Sequence, residues 1–163
     1  MIRAEGGPEA GAALRVIVLA DDLIWATRLV GQLGTVGADP VRVGSADGFA
    51  AALALPSTGA STDASADAGA VRLGHAVIDL TARAYDGLAA VRLAVAAGVR
   101  VLCVGQHDDR DLRRAALAAG AERVVAYRRL FENGHAVLAA WLGVPAPAAG
   151  SLSMPARPEV PAR

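Results

Sequence analysis

The chain contains no lysine, and all 16 of its basic residues are arginine. They are balanced by 16 acidic residues, so the overall charge does not point to nucleic acid or to an anionic membrane surface. The sequence has no P-loop, no dinucleotide glycine fingerprint, no nucleophile elbow and no zinc-ligand spacing. It therefore carries none of the short motifs that identify common nucleotide-binding or hydrolytic enzymes.

Cysteine and long apolar segments are also scarce. Cys103 is the single cysteine and lies in an apolar run, which is typical of a small buried residue in a reducing compartment. No apolar run is long enough to span a bilayer, and the amino terminus carries acids where a secretory peptide needs an apolar stretch. We therefore expect a cytoplasmic protein that binds neither nucleic acid nor membrane.

The 163 residues fit one domain of ordinary size with a sizeable apolar core. Residues 1–13 are expected to form a flexible leader, residues 14–143 the folded domain, and residues 144–163 a disordered, proline-rich tail. Inside the domain, residues 56–70 are poor in bulky side chains and predict a flexible insertion.

Short apolar runs alternate with helical patterns along the folded part, which is typical of a parallel sheet with helices on both faces. This alternation predicts a doubly wound, three-layer α/β fold. The predicted strands are Arg15–Ala20, Val41–Val43, Ala76–Asp79, Val99–Val104 and Arg123–Ala126. The predicted helices are Leu23–Val36, one that begins near Asp47, Gly87–Ala97, Asp109–Ala119 and Phe131–Leu142.

Three aspartates follow two of these strands. Asp21 and Asp22 end the first apolar run, and Asp79 ends the third. If the two strands are neighbours, their carboxyl ends bring three carboxylates to one crevice, where like charges need a cation or a shared proton. The cluster therefore predicts a site for a hard divalent metal such as Mg²⁺. Taken singly, the same residues also suit helix caps and a turn.

Five strand–helix units with acids after the first and third strands resemble the receiver domain of bacterial two-component response regulators, over about residues 14–142. The spacing from Asp79 to Asp86-Gly87 and the later pair Gly120-Ala121 agree with that family's pattern. The resemblance implies the flavodoxin-like strand order 2-1-3-4-5, which makes strands one and three neighbours. It also implies a signalling module in two-component phosphorelay rather than an enzyme.

The resemblance assigns a role to each acid. It implies that Asp21 and Asp22 help to bind Mg²⁺, and that Asp79 accepts a phosphoryl group from a histidine kinase. The backbone carbonyl of Thr81 then completes the protein ligands of the metal.

The chain departs from the receiver pattern at three positions. Gly105 stands where the family has a threonine or serine that contacts the phosphoryl group. Tyr127 replaces the lysine after strand five, and Val124 replaces the aromatic switch residue of that strand. Because these residues relay phosphorylation to the surface in receivers, we expect a degenerate relay in this chain.

The leading hypothesis is a stand-alone pseudo-receiver that works by binding another protein, with weak or no phosphorylation. One alternative is a functional phosphoacceptor that uses Asp79 and Mg²⁺, and another is a flavodoxin-like enzyme or nucleotide binder on the same crevice. The expected partner is a histidine kinase or an acidic effector, with homodimerisation as a further expectation. The candidate partner surface consists of Arg110, Arg113, Arg114, Arg128 and Arg129, placed on helix four and in a turn after strand five.

Other residues near the crevice carry weaker predictions. Trp25, in the first turn of helix one, either leans over the acidic pocket or is simply packed. His107 is expected to be a solvated loop residue, and Asp108 and Asp109 are expected to cap helix four.

Overall fold

The structure is a computed structural model that describes residues 14–55 and 72–145. Five parallel strands form one sheet in the order β2-β1-β3-β4-β5. The strands are β1 (Leu14–Leu19), β2 (Asp39–Val43), β3 (Arg72–Asp79), β4 (Arg100–Gly105) and β5 (Arg123–Ala126). The helices are α1 (Leu23–Thr35), α2 (Ala46–Ala54), α3 (Gly87–Ala96), α4 (Arg110–Ala118) and α5 (Tyr127–Leu142). The predicted doubly wound sheet and its strand order are confirmed.

The predicted leader, the predicted insertion and residues 146–163 of the predicted tail lie outside the described residues. No helix within the described ranges is long and apolar enough to cross a membrane.

The two largest differences from the sequence-based boundaries are at the starts of β3 and α5, and the other boundaries agree to within two residues. Strand β3 begins at Arg72 instead of Ala76, and its first residues pair with β1 across a register irregularity between Arg15 and Val16. Helix α5 begins at Tyr127, so the predicted turn after strand five is wrong. No side chain caps α5, because its N-cap residue is Ala126, and the sequence therefore gave no signal for the helix start.

Both faces of the sheet are buried, as a parallel sheet requires. On one face, Val16 and Val18 of β1 lie in a core cluster with Leu33 of α1 and Leu138 of α5. On the other face, Ile17 and Leu19 lie in a cluster formed with residues of α2, α3 and α4, including Phe49, Val91 and Ala116. The period-2 alternation of β1 thus divides its side chains between two cores and fixes the sheet between the helix layers.

The strand order places the acidic residues at one edge of the sheet. Strand β1 pairs directly with β3, and Leu19 lies opposite Ile78 in the register. Asp21 and Asp79 consequently follow the pair at the carboxyl edge. Gly87 packs closely against the end of β3, since an added Cβ would lie 3.0 Å from the Cα of Leu80.

A polar cluster lies near the opposite edge of the sheet. The Arg100 guanidinium donates to the Nε2 atom of His75 at 3.1 Å and pairs with Glu122 at 2.8 Å. Glu122 also accepts from the indole nitrogen of Trp141 at 3.0 Å, and Trp141 meets the His75 ring edge-on. Burial, with the nearby Arg100 charge, lowers the pKa of His75 and keeps its imidazole neutral at pH 7.

Helix α5 is kinked beside α1. Asn133 has non-helical dihedral angles (φ −136°, ψ 27°), which interrupts the hydrogen-bond ladder of α5. The Nε2 atom of Gln32 in α1 donates to the Leu130 carbonyl at 2.9 Å. Gly134 lies so close that an added Cβ would sit 2.4 Å from the Gln32 amide. The Gln32 side chain therefore contacts α5 next to the kink, and an alanine at position 134 would displace its amide.

We expect Gly134→Ala to lower the free energy of unfolding by roughly 1–3 kcal/mol, because it displaces Gln32 from a partly buried carbonyl. Urea unfolding followed by circular dichroism measures the change. The matched control is Gly31→Ala in α1, where nothing lies within 4 Å of the added Cβ. The control should raise stability by up to about 1 kcal/mol through helix propensity. Equal effects of the two substitutions would show that Gln32 does not hold the kink.

Candidate functional site

Asp79 is the buried centre of the site, with only 3% of its surface exposed. Its Oδ1 atom accepts hydrogen bonds from the Thr81 amide at 2.8 Å and the Thr81 hydroxyl at 2.9 Å. The Tyr127 hydroxyl donates to the same oxygen. Within the described ranges, the other oxygen, Oδ2, accepts no hydrogen bond from a side chain or an amide. One oxygen of the carboxylate is thus saturated, and the second remains available.

Tyr127 reaches Asp79 from the first residue of α5. Its hydroxyl also lies 2.6 Å from the Thr81 hydroxyl oxygen, so Asp79, Thr81 and Tyr127 form one hydrogen-bonded group. Burial, reinforced by the hydrogen bond to Asp79, raises the pKa of Tyr127 above its usual value. The phenol is therefore neutral across the physiological pH range, and it brings a proton donor, not a positive charge, to the place of the family's lysine.

Asp21 and Asp22 face different partners. The Asp22 carboxylate caps α1 by accepting from the Trp25 amide at 2.9 Å, as the capping interpretation expected. Asp21 accepts from the amides of Arg83 and Ala84, at 2.8 Å and 3.2 Å, in the loop after β3. These hydrogen bonds, the one from Arg83 foremost, lower the pKa of Asp21 and keep it ionised.

The metal ion predicted at these acids stays a prediction, because Mg²⁺ needs only one or two carboxylates beside carbonyl and water oxygens. Among residues 14–55 and 72–145, no three His, Cys, Asp or Glu side chains are grouped closely enough to hold one. Asp22 is directed at its helix and Asp21 at its loop, while one oxygen of Asp79 is saturated by hydroxyl and amide donors. The acids share a crevice, as the sequence predicted.

The acids line a cleft of about 580 Å³. Trp25 forms one wall and meets the Tyr127 ring edge-on, with 4.6 Å between ring centroids. Both interpretations of Trp25 hold, because it is half-buried against the core and also lines the acidic pocket. Phe131 is 56% exposed and also lines the cleft, with the Arg28 guanidinium 3.5 Å from its ring centroid. The cleft is lined by Asp21, Asp22, Trp25, Asp79, Thr81, Arg83, Gln106, Tyr127, Arg128 and Phe131.

The remaining predicted positions are distributed around this cleft. Gly105 ends β4 and offers no hydroxyl, and Val124 is buried in β5. His107 is exposed, as expected for a loop residue. Asp109 caps α4 by accepting from the Leu112 amide at 2.9 Å, whereas Asp108 precedes the cap and makes no such bond to α4 in the described region.

Three of the five arginines of the predicted partner surface are engaged in hydrogen bonds or ion pairs. Arg113 donates to the Val124 carbonyl at 3.1 Å, Arg114 pairs with Asp111 at 3.0 Å, and Arg128 pairs with Glu132 at 2.8 Å. Arg110 and Arg129 are exposed and form no ion pair within the described residues. Arg128 and Arg129 lie in the first turn of α5, which corrects the predicted turn.

Sequence reasoning missed two tyrosine contacts. It treated Tyr127 as a lost lysine and did not foresee the hydrogen bond to Asp79. It also did not single out Tyr85, whose buried hydroxyl donates to the carbonyls of Leu19 and Asp79, at 2.8 Å and 3.0 Å. The tyrosines themselves could have indicated these contacts, because a buried tyrosine hydroxyl needs an acceptor and a carboxylate is a suitable one.

No protein-family model matches the chain, and no curated protein matches its sequence. Solved structures do match it. A response regulator receiver protein from Burkholderia phymatum covers 83% of this chain and 99% of its own, with 24% identity and a TM-score of 0.65. The chain has the receiver fold.

Two further receiver structures agree at lower identity. The receiver domain of a sensor histidine kinase from Pseudomonas aeruginosa PAO1 is 16% identical, with 81% and 99% coverage of the two chains and a TM-score of 0.61. That structure has a magnesium ion coordinated in its active site cleft. The response regulator DrrB of Thermotoga maritima is 16% identical over 80% of this chain, with a TM-score of 0.60, and this chain covers only 53% of DrrB.

The contact between Tyr127 and Asp79 is testable by a double-mutant cycle with Tyr127→Phe and Asp79→Asn. A hydrogen bond to a carboxylate predicts a coupling free energy of roughly 1.5–3 kcal/mol in urea unfolding. Tyr85→Phe paired with Asp79→Asn is the control, because Tyr85 bonds only backbone carbonyls in the described region and should couple weakly. Additive effects of Tyr127→Phe and Asp79→Asn would rule out the contact.

Proposed function

We propose that the chain is a receiver-like signalling protein that acts by binding another protein, with weak or no phosphorylation of Asp79. The observation that carries this proposal is the Tyr127 hydroxyl on the Asp79 carboxylate, at the place where receivers have a lysine. A phosphoacceptor needs nearby positive charge, and here a neutral phenol donates to one oxygen of the carboxylate.

The lack of a positive charge at position 127 has a large electrostatic consequence. A unit charge about 4 Å from a phosphoryl oxygen is worth roughly 4 kcal/mol in a partly exposed site, before desolvation. Tyr127 supplies no such charge, and Gly105 supplies no hydroxyl. Arg128 does not substitute, because it is exposed and paired with Glu132. Both transfer to Asp79 and retention of an acyl phosphate are therefore disfavoured.

A functional phosphoacceptor is the second candidate. It is favoured by the Oδ2 atom of Asp79, which accepts no side-chain or amide hydrogen bond within the described part of the chain. A magnesium ion also occupies the cleft of the Pseudomonas aeruginosa receiver. Under this candidate, Mg²⁺ binds Asp21, Asp22, Asp79 and the Thr81 carbonyl, and each of the three carboxylates has one oxygen that accepts no hydrogen bond within the described residues.

An enzyme or nucleotide binder has less support. The amino terminus of α1 faces the cleft, and a helix amino terminus is where a phosphate binds in nucleotide-binding α/β folds. Here the Asp22 carboxylate already caps that terminus. A phosphate would meet this negative charge instead of free amides, so we do not extend the proposal to nucleotides.

The partner surface is proposed on α4, β5 and the first turn of α5. It contains the predicted Arg110, Arg113, Arg114, Arg128 and Arg129. Within the described residues Arg110 and Arg129 form no ion pair, and Arg113 forms none but donates to the Val124 carbonyl. Concentrated positive charge on a chain of zero net charge favours an acidic partner, such as an effector, a kinase or an acidic face of a second copy.

We expect acetyl phosphate with Mg²⁺ to label the protein poorly, because Tyr127 bonds one oxygen of Asp79 and no basic side chain pairs with Asp79 within the described residues. The double substitution Gly105→Thr with Tyr127→Lys restores the hydroxyl and the ammonium and should raise the labelling rate at least about tenfold. Phos-tag electrophoresis measures the labelled fraction over time. Adding Asp79→Asn to this variant is the control and should abolish labelling. Rapid, stoichiometric labelling of the unaltered protein would favour the second candidate instead.

We expect Arg110→Ala with Arg129→Ala to weaken capture of the acidic partner, or self-association, by at least about tenfold, since rim charges steer association. The melting temperature should stay within a few degrees, because exposed arginines contribute little to stability. The matched control is Arg92→Ala on α3, an exposed arginine outside this surface. Light scattering and pull-down from native extract measure the two kinds of association. If only Asp79→Asn abolishes capture, the acidic cleft is the binding centre and the arginine surface is not.

A further inference from the structure

The His75 cluster lies near the edge of the sheet opposite to the cleft, and the proposed function does not use it. It consists of His75, Arg100, Glu122 and Trp141. His75 is only 6% exposed and stands opposite Arg100 in the register of β3 and β4. The Arg100 guanidinium donates to the Nε2 atom of His75 at 3.1 Å. Because a guanidinium has no acceptor, Nε2 must be unprotonated, and the proton of the neutral ring is on Nδ1.

The two ring nitrogens of His75 leave no place for a second proton. The Nδ1 atom is buried and has no hydrogen-bond partner within the described residues. A second proton would have to sit on Nε2, which already faces the donating guanidinium of Arg100. An imidazolium in the present arrangement would therefore present two buried donors and meet an acceptor at neither of them. Protonation of His75 requires the contact with Arg100 to break.

The charges around the His75 ring also oppose a proton. Burial comes first and the Arg100 charge on β4 second in lowering the pKa of His75, and the Glu122 charge, before β5, only partly offsets them. Glu122 is already paired with Arg100 at 2.8 Å and accepts from the Trp141 indole at 3.0 Å. The other neighbours are uncharged. Val16 of β1 stands opposite His75 in the register, and Trp141 of α5 meets the ring edge-on, with 5.0 Å between centroids.

The cluster joins parts of the fold that are distant in sequence. His75 belongs to β3, Arg100 to β4 and Trp141 to the last turn of α5, and Glu122 immediately precedes β5. Trp141 is 2% exposed, and its indole nitrogen reaches the sheet through Glu122. The end of α5 is thus fastened to two strands by a chain of polar contacts in which every link depends on a neutral His75 or on its partner Arg100.

We propose that the His75 cluster is an acid-sensitive latch, which fastens the Trp141 end of α5 to β3 and β4. At neutral pH the uncharged ring accepts from Arg100, and the latch is closed. When His75 takes a proton from solvent, the ring leaves Arg100 and the end of α5 loosens from the sheet. The inference goes beyond the proposed function, because it gives the domain a response to pH at the edge remote from the cleft.

The latch predicts a loss of stability as the pH falls. The unfolded chain binds a proton at His75 below about pH 6.5, whereas the folded chain resists it. The latch therefore contributes fully above that pH and progressively less toward about pH 5, where the unfolding equilibrium constant should be at least about fivefold larger than at about pH 7. Glu122 does not titrate in this range, because its hydrogen bond from Arg100 lowers its pKa.

Urea unfolding of the full chain at a series of pH values between about 5 and 7 measures this change. In His75→Gln, the amide oxygen can accept from Arg100 but takes no proton, so the His75-dependent fivefold increase should disappear. The matched control is His107→Gln, which replaces an exposed histidine outside the cluster and should keep the increase. The same pH dependence in the unaltered protein and in His75→Gln would overturn the proposal.

NMR of the unaltered protein tests the latch without a substitution that could disturb folding. The Hε1 signal of His75 should titrate with a midpoint below about pH 6.5, and the Trp141 indole signal should shift with the same midpoint. The Trp25 indole lies at the cleft and should not follow it. In Arg100→Gln the opposing charge is removed, so the His75 midpoint should rise by about half a pH unit or more.

A His75 midpoint at or above about pH 6.5 in the unaltered protein would overturn the latch, as would a Trp141 signal that does not follow His75. An unchanged midpoint in Arg100→Gln would also contradict it. None of these results bears on the labelling of Asp79, so the latch and the proposed function can fail separately.

Discussion

The contact between the Tyr127 hydroxyl and the Asp79 carboxylate is the constraint on which the chemistry of the cleft depends. It puts a neutral donor on the most buried acid of the site, and burial keeps that donor neutral by raising the pKa of Tyr127. Because the donor has no net charge, it places no positive charge beside Asp79. The cleft is therefore both blocked at one oxygen of Asp79 and short of positive charge.

The position of Tyr127 is set by the start of α5. The helix begins directly after β5, so Tyr127 has a helical backbone and its side chain is held over the strand ends. The first turn of α5 is separated from the rest by the kink at Asn133, where Gln32 of α1 bonds the Leu130 carbonyl. Trp25, also from α1, supports the Tyr127 ring. Packing between the first and last helices thus determines what covers Asp79.

The sequence predicted the fold and the meeting of the acids because both depend on local patterns. Apolar runs gave the strands, and Asp21 and Asp79 follow strands that prove to be neighbours. What each acid contacts could not be predicted, because Asp22 suits a helix cap as well as a metal. The Tyr127 contact was missed for a similar reason. It depends on α5 beginning at Tyr127, and the N-cap residue Ala126 has no side chain that could signal this start. The sequence showed that a tyrosine stands at position 127, but no local pattern indicated that its hydroxyl would reach Asp79.

Asp79 is held firmly by its neighbours, through both its side chain and its backbone. Tyr127 bonds its side chain, and the buried Tyr85 hydroxyl lies within bonding distance of its backbone carbonyl and of the Leu19 carbonyl in the neighbouring strand. Asp79 is thereby tied to β1, to α5 and to the loop that contains Thr81 and Tyr85. A carboxylate restrained from three directions is well suited to hold a ligand in one orientation, since little further ordering is needed on binding. It is less suited to a reaction in which the oxygen must move out, form a bond to phosphorus and accept a new hydrogen-bonding environment.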